Sequence, residues 1–195
     1  MNQMIPMRAL TLVPLLALAL ACQDTTPLEP SASHVDSPDV TATFDQMGVT
    51  QHVVGSGHFR NPAGSVNSFA FNALKTADGT VKGQVTVQVR VTDPIAMWKL
   101  DVDCLAVSGN VAVLSGTISH SSLPQFVGYG GWTAVQDNGE GANALPDMST
   151  SIWAILPDYL PVPGYCHEVI QDIDSYLAPF AFGWVPVIRG NVQIF

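Results

Sequence analysis

The chain has 195 residues, 47% of them hydrophobic and 12% charged, which suits one compact domain with short flanking segments. Seven basic residues stand against 16 acidic ones, giving a formal net charge of −9. Such an acidic chain, with no cluster of Lys or Arg, repels phosphate backbones, so we expect no nucleic-acid binding. The 16 glycines and 14 prolines favour short strands and turns over long helices.

Residues 1–21 have the organisation of a secretory signal. Arg8 is their only charged residue, and an apolar run from Ala9 to Ala21 follows it. The run is too short for a transmembrane helix, which needs about 20 residues. Its last three residues, Ala19 to Ala21, fit the small-x-small site of ordinary signal peptidase.

The same cleavage bond precedes Cys22, and LALAC resembles a bacterial lipobox, whose cysteine is lipidated after cleavage. Ala19 and Leu20 depart from the preferred lipobox residues, so plain secretion is the alternative. Residues 22–47 are rich in Pro, Ser, Thr and Asp and read as a flexible tether. Gln23 replaces the aspartate that signals inner-membrane retention. We therefore expect an outer-membrane lipoprotein, with a periplasmic or extracellular protein as the alternative.

The remaining residues, 48–195, predict an all-β domain of eight strands in meander order. The predicted strands are Val49–Phe59, Ser65–Thr76, Val81–Val91, the two strands of a hairpin at Trp98–Ile118, then Phe126–Gln136, Met148–Leu156 and Asn191–Phe195. One short helix is predicted from about Tyr165 to Leu177, where apolar residues recur at helical spacing. We expect the antiparallel strands to close in a barrel-like form, with a two-sheet β-sandwich as the alternative.

The hairpin is apolar in both alternation phases next to its turn, with Leu105 and Val107 in one phase and Cys104 and Ala106 in the other. This pattern predicts that both of its faces are covered, by other strands. Cys104 and Cys166 are the two cysteines of the predicted β-domain. In an oxidising compartment such cysteines pair, so we predict a disulfide, worth roughly 4 kcal/mol through chain entropy.

An ordered set of motifs resembles a recurrent secreted bacterial β-domain, found in predicted lipoproteins and in larger surface proteins. The motifs are GSGHF, FAFNAL, ADGTVKGQV, DCLAVSGNVAVLSGTI, VQDNGEGAN, PDMSTSIW and the closing GNVQIF. The resemblance covers about Val53 to Phe195, and the Pro-rich segment around Cys166 looks like a variable insert. It implies an all-β extracytoplasmic domain, and it carries no known activity or ligand.

The loop at residues 137–147, DNGEGANALPD, is the strongest candidate site. Asp137, Asn138, Glu140 and Asp147 offer the hard oxygen ligands that Ca²⁺ takes, although their spacing departs from the EF-hand pattern. The alternative is a turn opened by glycines and capped by Asx side chains, without any cofactor. Glu140 and Asp147 also form a candidate carboxylate pair for glycoside hydrolysis.

Other candidates are weaker. No G-x-S-x-G or HExxH motif is present, and the adjacent Cys166, His167 and Glu168 diverge on a helix. Several aromatic residues fit either the core or the mouth of a barrel: Trp98, Phe126, Tyr129, Trp132, Trp153 and Trp184.

The sequence therefore predicts a monomeric, non-catalytic envelope lipoprotein with a binding or structural role. Its expected contact with the membrane is the N-terminal lipid, while a protein or small-molecule partner is left unidentified. The alternative is a small hydrolase or a ligand-carrying β-barrel that uses the acidic loop at residues 137–147 or an aromatic mouth.

Overall fold

The structure, a computed structural model, describes residues 48–60, 64–90, 96–141, 143–154, 162–178 and 183–195, with the backbone alone for residues 153 and 154. The predicted signal (1–21), the predicted tether (22–47) and the lipidation candidate Cys22 lie outside the described residues. The described residues form strands β1 (Val49–Arg60), β2 (Val66–Thr76), β3 (Val81–Val89), β4 (Ala96–Ser108), β5 (Val111–Ser121), β6 (Gly130–Gln136), β7 (Met148–Ser149), β8 (Trp153–Ala154) and β9 (Val185–Ile194). Helices α1 (Tyr165–Gln171) and α2 (Ile173–Leu177) come between β8 and β9.

The strands form one antiparallel sheet that closes on itself. Each strand from β1 to β6 pairs with the next, and β1 also pairs with β9. β7 joins β6 to β9 and completes the ring. Because β8 pairs with β6 as well, β7 and β8 are the two ends of one interrupted strand. The predicted eight-stranded, barrel-like meander is therefore confirmed, and the sandwich alternative is not what forms.

Inward-facing side chains fill the interior of the ring with one continuous apolar cluster. Val53, Phe71, Val85, Leu105 and Leu114, from five different strands, are each at most 5% exposed. Burying a side chain of this kind stabilises the fold by about 1.5–3 kcal/mol. The interior is thus a packed core.

Glycines on β1 make room for aromatic rings in this core. A Cβ at Gly55 would lie 2.5 Å from Cζ of Phe71, and one at Gly57 would lie 3.2 Å from Cζ of Phe69. The two phenylalanine rings stack on each other with centroids 5.8 Å apart. The space that these glycines leave for the two rings explains why GSGHF and FAFNAL occur together.

The β4–β5 hairpin is covered on both faces, as predicted, but the outer cover is helical. A bulge at Asp103 shifts the register of β4 against β5 and turns Cys104 to the outer face. There α1 and α2 bury a second apolar cluster that includes Val113, Trp132 and Val169. The expectation that strands cover both faces was wrong, because the segment after β8 folds back over the hairpin.

Several element boundaries differ from the sequence prediction. The single predicted helix is broken at Asp172, whose φ of −147° and ψ of 56° are not helical. β9 begins at Val185, although the sequence predicts a strand only from Asn191. A Pro and a bulge interrupt the alternation of its first half. Pro124–Phe126 form a 3-10 turn, so the strand predicted from Phe126 starts only at Gly130.

Candidate functional site

The loop at residues 137–147 lies against β9, and two of its aspartates bond the β9 backbone. Oδ2 of Asp147 accepts the Val192 N–H at 2.8 Å, and Oδ2 of Asp137 accepts the Ile194 N–H at 3.1 Å. β9 pairs with β7 at Val185 and Pro186, and these N–H groups lie further along β9, beyond that pairing. The two carboxylates therefore satisfy backbone donors that a neighbouring strand would otherwise satisfy.

The second oxygen of each aspartate holds the loop itself. Oδ1 of Asp147 accepts the Asn138 N–H at 2.9 Å, and Oδ1 of Asp137 accepts the Gly139 N–H at 2.8 Å. Gly139 has a φ of +80°, which suits a glycine-opened turn. Asp147 is only 7% exposed, so its bonds are buried. This is the Asx-capped turn that the sequence offers as the alternative to a metal site.

Glu140 bonds the side chains on the outer face of β9. Its Oε1 accepts the amide of Asn191 at 2.8 Å and the amide of Gln193 at 2.9 Å. Both partners lie more than 50 positions further along the chain, and the sequence did not predict either of them. Side chains alternate along GNVQIF, and Val192 faces inward, so Asn191 and Gln193 share the outer face. This alternation was the signal in the sequence that could have found them.

The carboxylates of Asp137, Glu140 and Asp147 do not come together as a set of three possible metal ligands in the described part of the chain. Among the described residues, only Cys104, Cys166 and His167 place three candidate metal-binding atoms within 4.8 Å of one another. In the loop, the side-chain oxygen of Asn138 accepts a hydrogen bond from Asn110 at 3.2 Å, and its amide donates to the Pro146 carbonyl at 2.7 Å. The calcium site stays a prediction, with side chains already engaged in the turn.

The cysteine group is a disulfide rather than a set of thiolate ligands. Cys104 on β4 is bonded to Cys166 on α1, with Cα atoms 5.8 Å apart. The predicted disulfide is thus confirmed. Both cysteines are buried and His167 is exposed. Because metals bind thiolates, the oxidised pair leaves His167 without partner ligands in this group.

Most of the candidate aromatic residues pack into the cores. Trp98, Phe126 and Tyr129 form two edge-to-face contacts against the barrel core, with centroids 6.0 and 5.8 Å apart. Trp132 is 2% exposed and meets Tyr176 beneath the helices. Trp184 packs partly buried on the same outer cluster. The side chain of Trp153 lies outside the described part of the structure.

A surface pocket of about 310 Å³ lies between the acidic loop and β9. Its lining combines polar side chains, exposed glycine backbone and apolar side chains: Gly139, Glu140, Gly141, Ala144, Leu145, Pro146, Asp147, Val187, Gly190 and Asn191. The volume is at the lower end of the range for small-molecule sites. The candidate loop thus borders a pocket on the outside of the barrel.

Shifted pKa values lie away from this pocket. Burial raises the pKa of the Asp103 carboxyl at the β4 bulge. The Thr76 hydroxyl, which donates to Asp78 at 2.6 Å, is the main cause of a lowered pKa for the Asp78 carboxyl. Burial also raises the pKa of Tyr165, at the start of α1.

Neither helix of the described residues is long and apolar enough to cross a membrane. Comparison of the chain with protein-family models, with curated proteins and with solved structures found no match.

Proposed function

We propose that this chain is a non-catalytic binding or structural domain of the bacterial cell envelope, held at the outer membrane by a lipid on Cys22. The observation that carries the non-catalytic part is the engagement of Asp147. Both of its oxygens accept backbone N–H groups. A carboxylate with both oxygens bonded to backbone N–H groups is poorly placed to transfer protons to a substrate.

Two observations support the envelope location. The Cys104–Cys166 disulfide is compatible with an oxidising compartment outside the cytoplasm. The LALAC sequence and the polar residues 22–47 support an anchored domain on a tether.

Ligand carriage is the second candidate, and the pocket beside Glu140 favours it. The interior of the barrel is packed, so a ligand would bind on the outer surface. The hydrolase interpretation has no comparable support, because Asp147, one member of the proposed carboxylate pair, is bound to backbone.

Fractionation of a bacterial host that processes lipoproteins tests the proposal. We expect the wild-type chain in the outer membrane and the Cys22→Ser variant in the soluble envelope extract, because the serine hydroxyl cannot form the thioether. Equal recovery of both chains in the soluble extract would contradict the lipid anchor. Hydrolysis of a glycoside substrate that is lost in Asp147→Asn would contradict the non-catalytic role.

A further inference from the structure

Glu140 organises a set of hydrogen-bond acceptors on the outer face of β9. A carboxylate only accepts, so the amide nitrogens of Asn191 and Gln193 must be the atoms that face its Oε1. Their amide oxygens are then directed away from that bond. In the described part of the chain, those two oxygens and Oε2 of Glu140 accept no hydrogen bond from protein. Three fixed acceptors therefore remain for solvent or for a ligand.

The pocket beside these acceptors has an apolar wall. Leu145 is 72% exposed although it is a large apolar residue, and it lines the pocket together with Pro146 and Val187. A ligand that fits must present hydrogen-bond donors on one side and C–H groups on another. A saccharide ring has this character, with hydroxyl groups at its rim and C–H groups on its faces.

The same face of β9 continues to an exposed aromatic ring. Phe195 is 63% exposed and stacks on His52 of β1, with centroids 5.7 Å apart and planes inclined by 16°. Asn191, Gln193 and Phe195 alternate along the strand, so they span roughly 13 Å on one side of it. This length accommodates more than one sugar ring, and aromatic faces pack well against C–H groups.

We propose that the pocket and the outer face of β9 bind a neutral saccharide chain, with one ring between Glu140 and Leu145 and a neighbouring ring towards Phe195. The proposal rests on the binding role proposed above and names its ligand class. The acceptors are held in place by hydrogen bonds before the ligand arrives, which reduces the entropy lost on binding.

An array of immobilised neutral oligosaccharides, with immobilised spermine as the cationic probe, tests the assignment on the full Cys22→Ser chain. Calorimetry with the best saccharide then gives the dissociation constant. We expect Glu140→Gln to weaken binding about tenfold or more, the factor for one hydrogen bond to a charged group. Leu145→Trp should abolish binding by filling the pocket, and its exposed position leaves the fold intact.

Asp101→Asn is the matched control. Asp101 is also an exposed carboxylate, and it accepts an amide from Gln84 at 3.2 Å, but it does not line the pocket. Its variant should bind the saccharide as the parent chain does. The assignment would be overturned if the chain bound only spermine, or bound no saccharide on the array. It would also be overturned if Leu145→Trp left saccharide binding unchanged. If no saccharide binds but the fractionation gives the expected result, only the saccharide assignment fails. If a saccharide binds but the wild-type chain is recovered in the soluble extract, only the lipid anchor fails.

Discussion

Asp147 lies at the seam of the barrel, where the loop at residues 137–147 meets β9. Its two oxygens accept the backbone N–H groups of Asn138 and Val192 at 2.9 and 2.8 Å, and the side chain is 7% exposed. Each buried donor left without a partner costs about 1–3 kcal/mol. The aspartate therefore joins the acidic loop to β9.

We expect Asp147→Ala to lower the free energy of unfolding by about 2–4 kcal/mol, because two backbone donors lose their acceptor. Urea denaturation measures this change. Asp101→Ala is the control, since it removes an exposed carboxylate and should shift stability by less than about 0.5 kcal/mol. Similar losses in both variants would show that the Asp147 bonds do not hold the seam.

We expect Asp103, whose carboxyl is partly desolvated at the β4 bulge, to make the stability of the fold depend on pH. Burial raises the pKa of its carboxyl, so the folded state binds the proton more tightly than the unfolded chain. The ionised carboxylate therefore destabilises the fold at neutral pH, and this penalty disappears as pH falls through the range just above the ordinary aspartate pKa of about 3.9.

Asp103→Asn should accordingly raise the melting temperature at about pH 7 and leave it unchanged at about pH 3. Thermal unfolding followed by circular dichroism at both pH values checks this. A lower melting temperature of the variant at neutral pH would mean that the Asp103 charge stabilises the bulge.

Single residues were predictable from the sequence where their effect is local. The Asp78-Gly79 turn follows from residues that touch one another, with Asp78 accepting the Thr80 N–H at 2.9 Å. The partners of Asp137 and Asp147 were not predictable in this way. Val192 lies 45 positions from Asp147, and no local pattern marks a carboxylate that bonds a distant strand.

At the scale of elements, a bulge at Asp103 and a glycine opposite it shape the part of the β4–β5 hairpin that carries Cys104. A Cβ at Gly116 would lie 1.9 Å from the backbone oxygen of Asp101, beside the Asp103 bulge. Backbone atoms cannot move aside as a flexible side chain can. The glycine in LSGTI therefore permits the close approach that turns Cys104 outward.

Gly116→Ala should destabilise the fold by about 1–3 kcal/mol, the usual effect of overpacking. Gly183→Ala is the matched control, because its nearest contact would be Cβ of Leu177 at an ordinary 3.5 Å. Chemical denaturation of both variants gives the comparison. Equal stability of the two would indicate that the bulge can relax without Gly116.

The helices depend on the disulfide for their attachment to the hairpin. Cys166 lies at the start of α1, and its N–H donates to Oγ of Ser115 at 3.2 Å on β5. The contact between helices and sheet is otherwise the apolar outer cluster.

Replacing Cys104 and Cys166 together by alanine should lower the free energy of unfolding by about 2–4 kcal/mol. Hydrogen exchange should then show loss of protection first in α1 and α2, with β1 to β3 still protected. Uniform loss of protection across the barrel would contradict a local role for the disulfide.

At the scale of the whole molecule, the predicted strands and the frequent glycines and prolines were enough to predict an all-β meander. They could not separate a barrel from a sandwich, because closure depends on pairs such as Val53 with Ile194, far apart in the chain. The helical cover of the hairpin was also beyond local patterns. An apolar outer face predicts that another element covers it, but it does not predict whether that element is a strand or a helix.

The whole molecule has a packed barrel, for which we propose a ligand surface on the outside and a lipid that holds the chain at the membrane. Its interior is filled, its loop carboxylates hold β9, and its open pocket faces outward. The accessible groups of the loop and of β9 therefore lie outside the barrel, where the proposed binding role requires them.

Mass spectrometry of the intact chain recovered from bacterial membranes under non-reducing conditions tests this account most directly. We predict a chain that begins at Cys22, carries the added mass of a diacylglyceryl group, and contains the Cys104–Cys166 disulfide. An unmodified Cys22 with two free thiols at Cys104 and Cys166 would contradict both the anchor and the oxidising location.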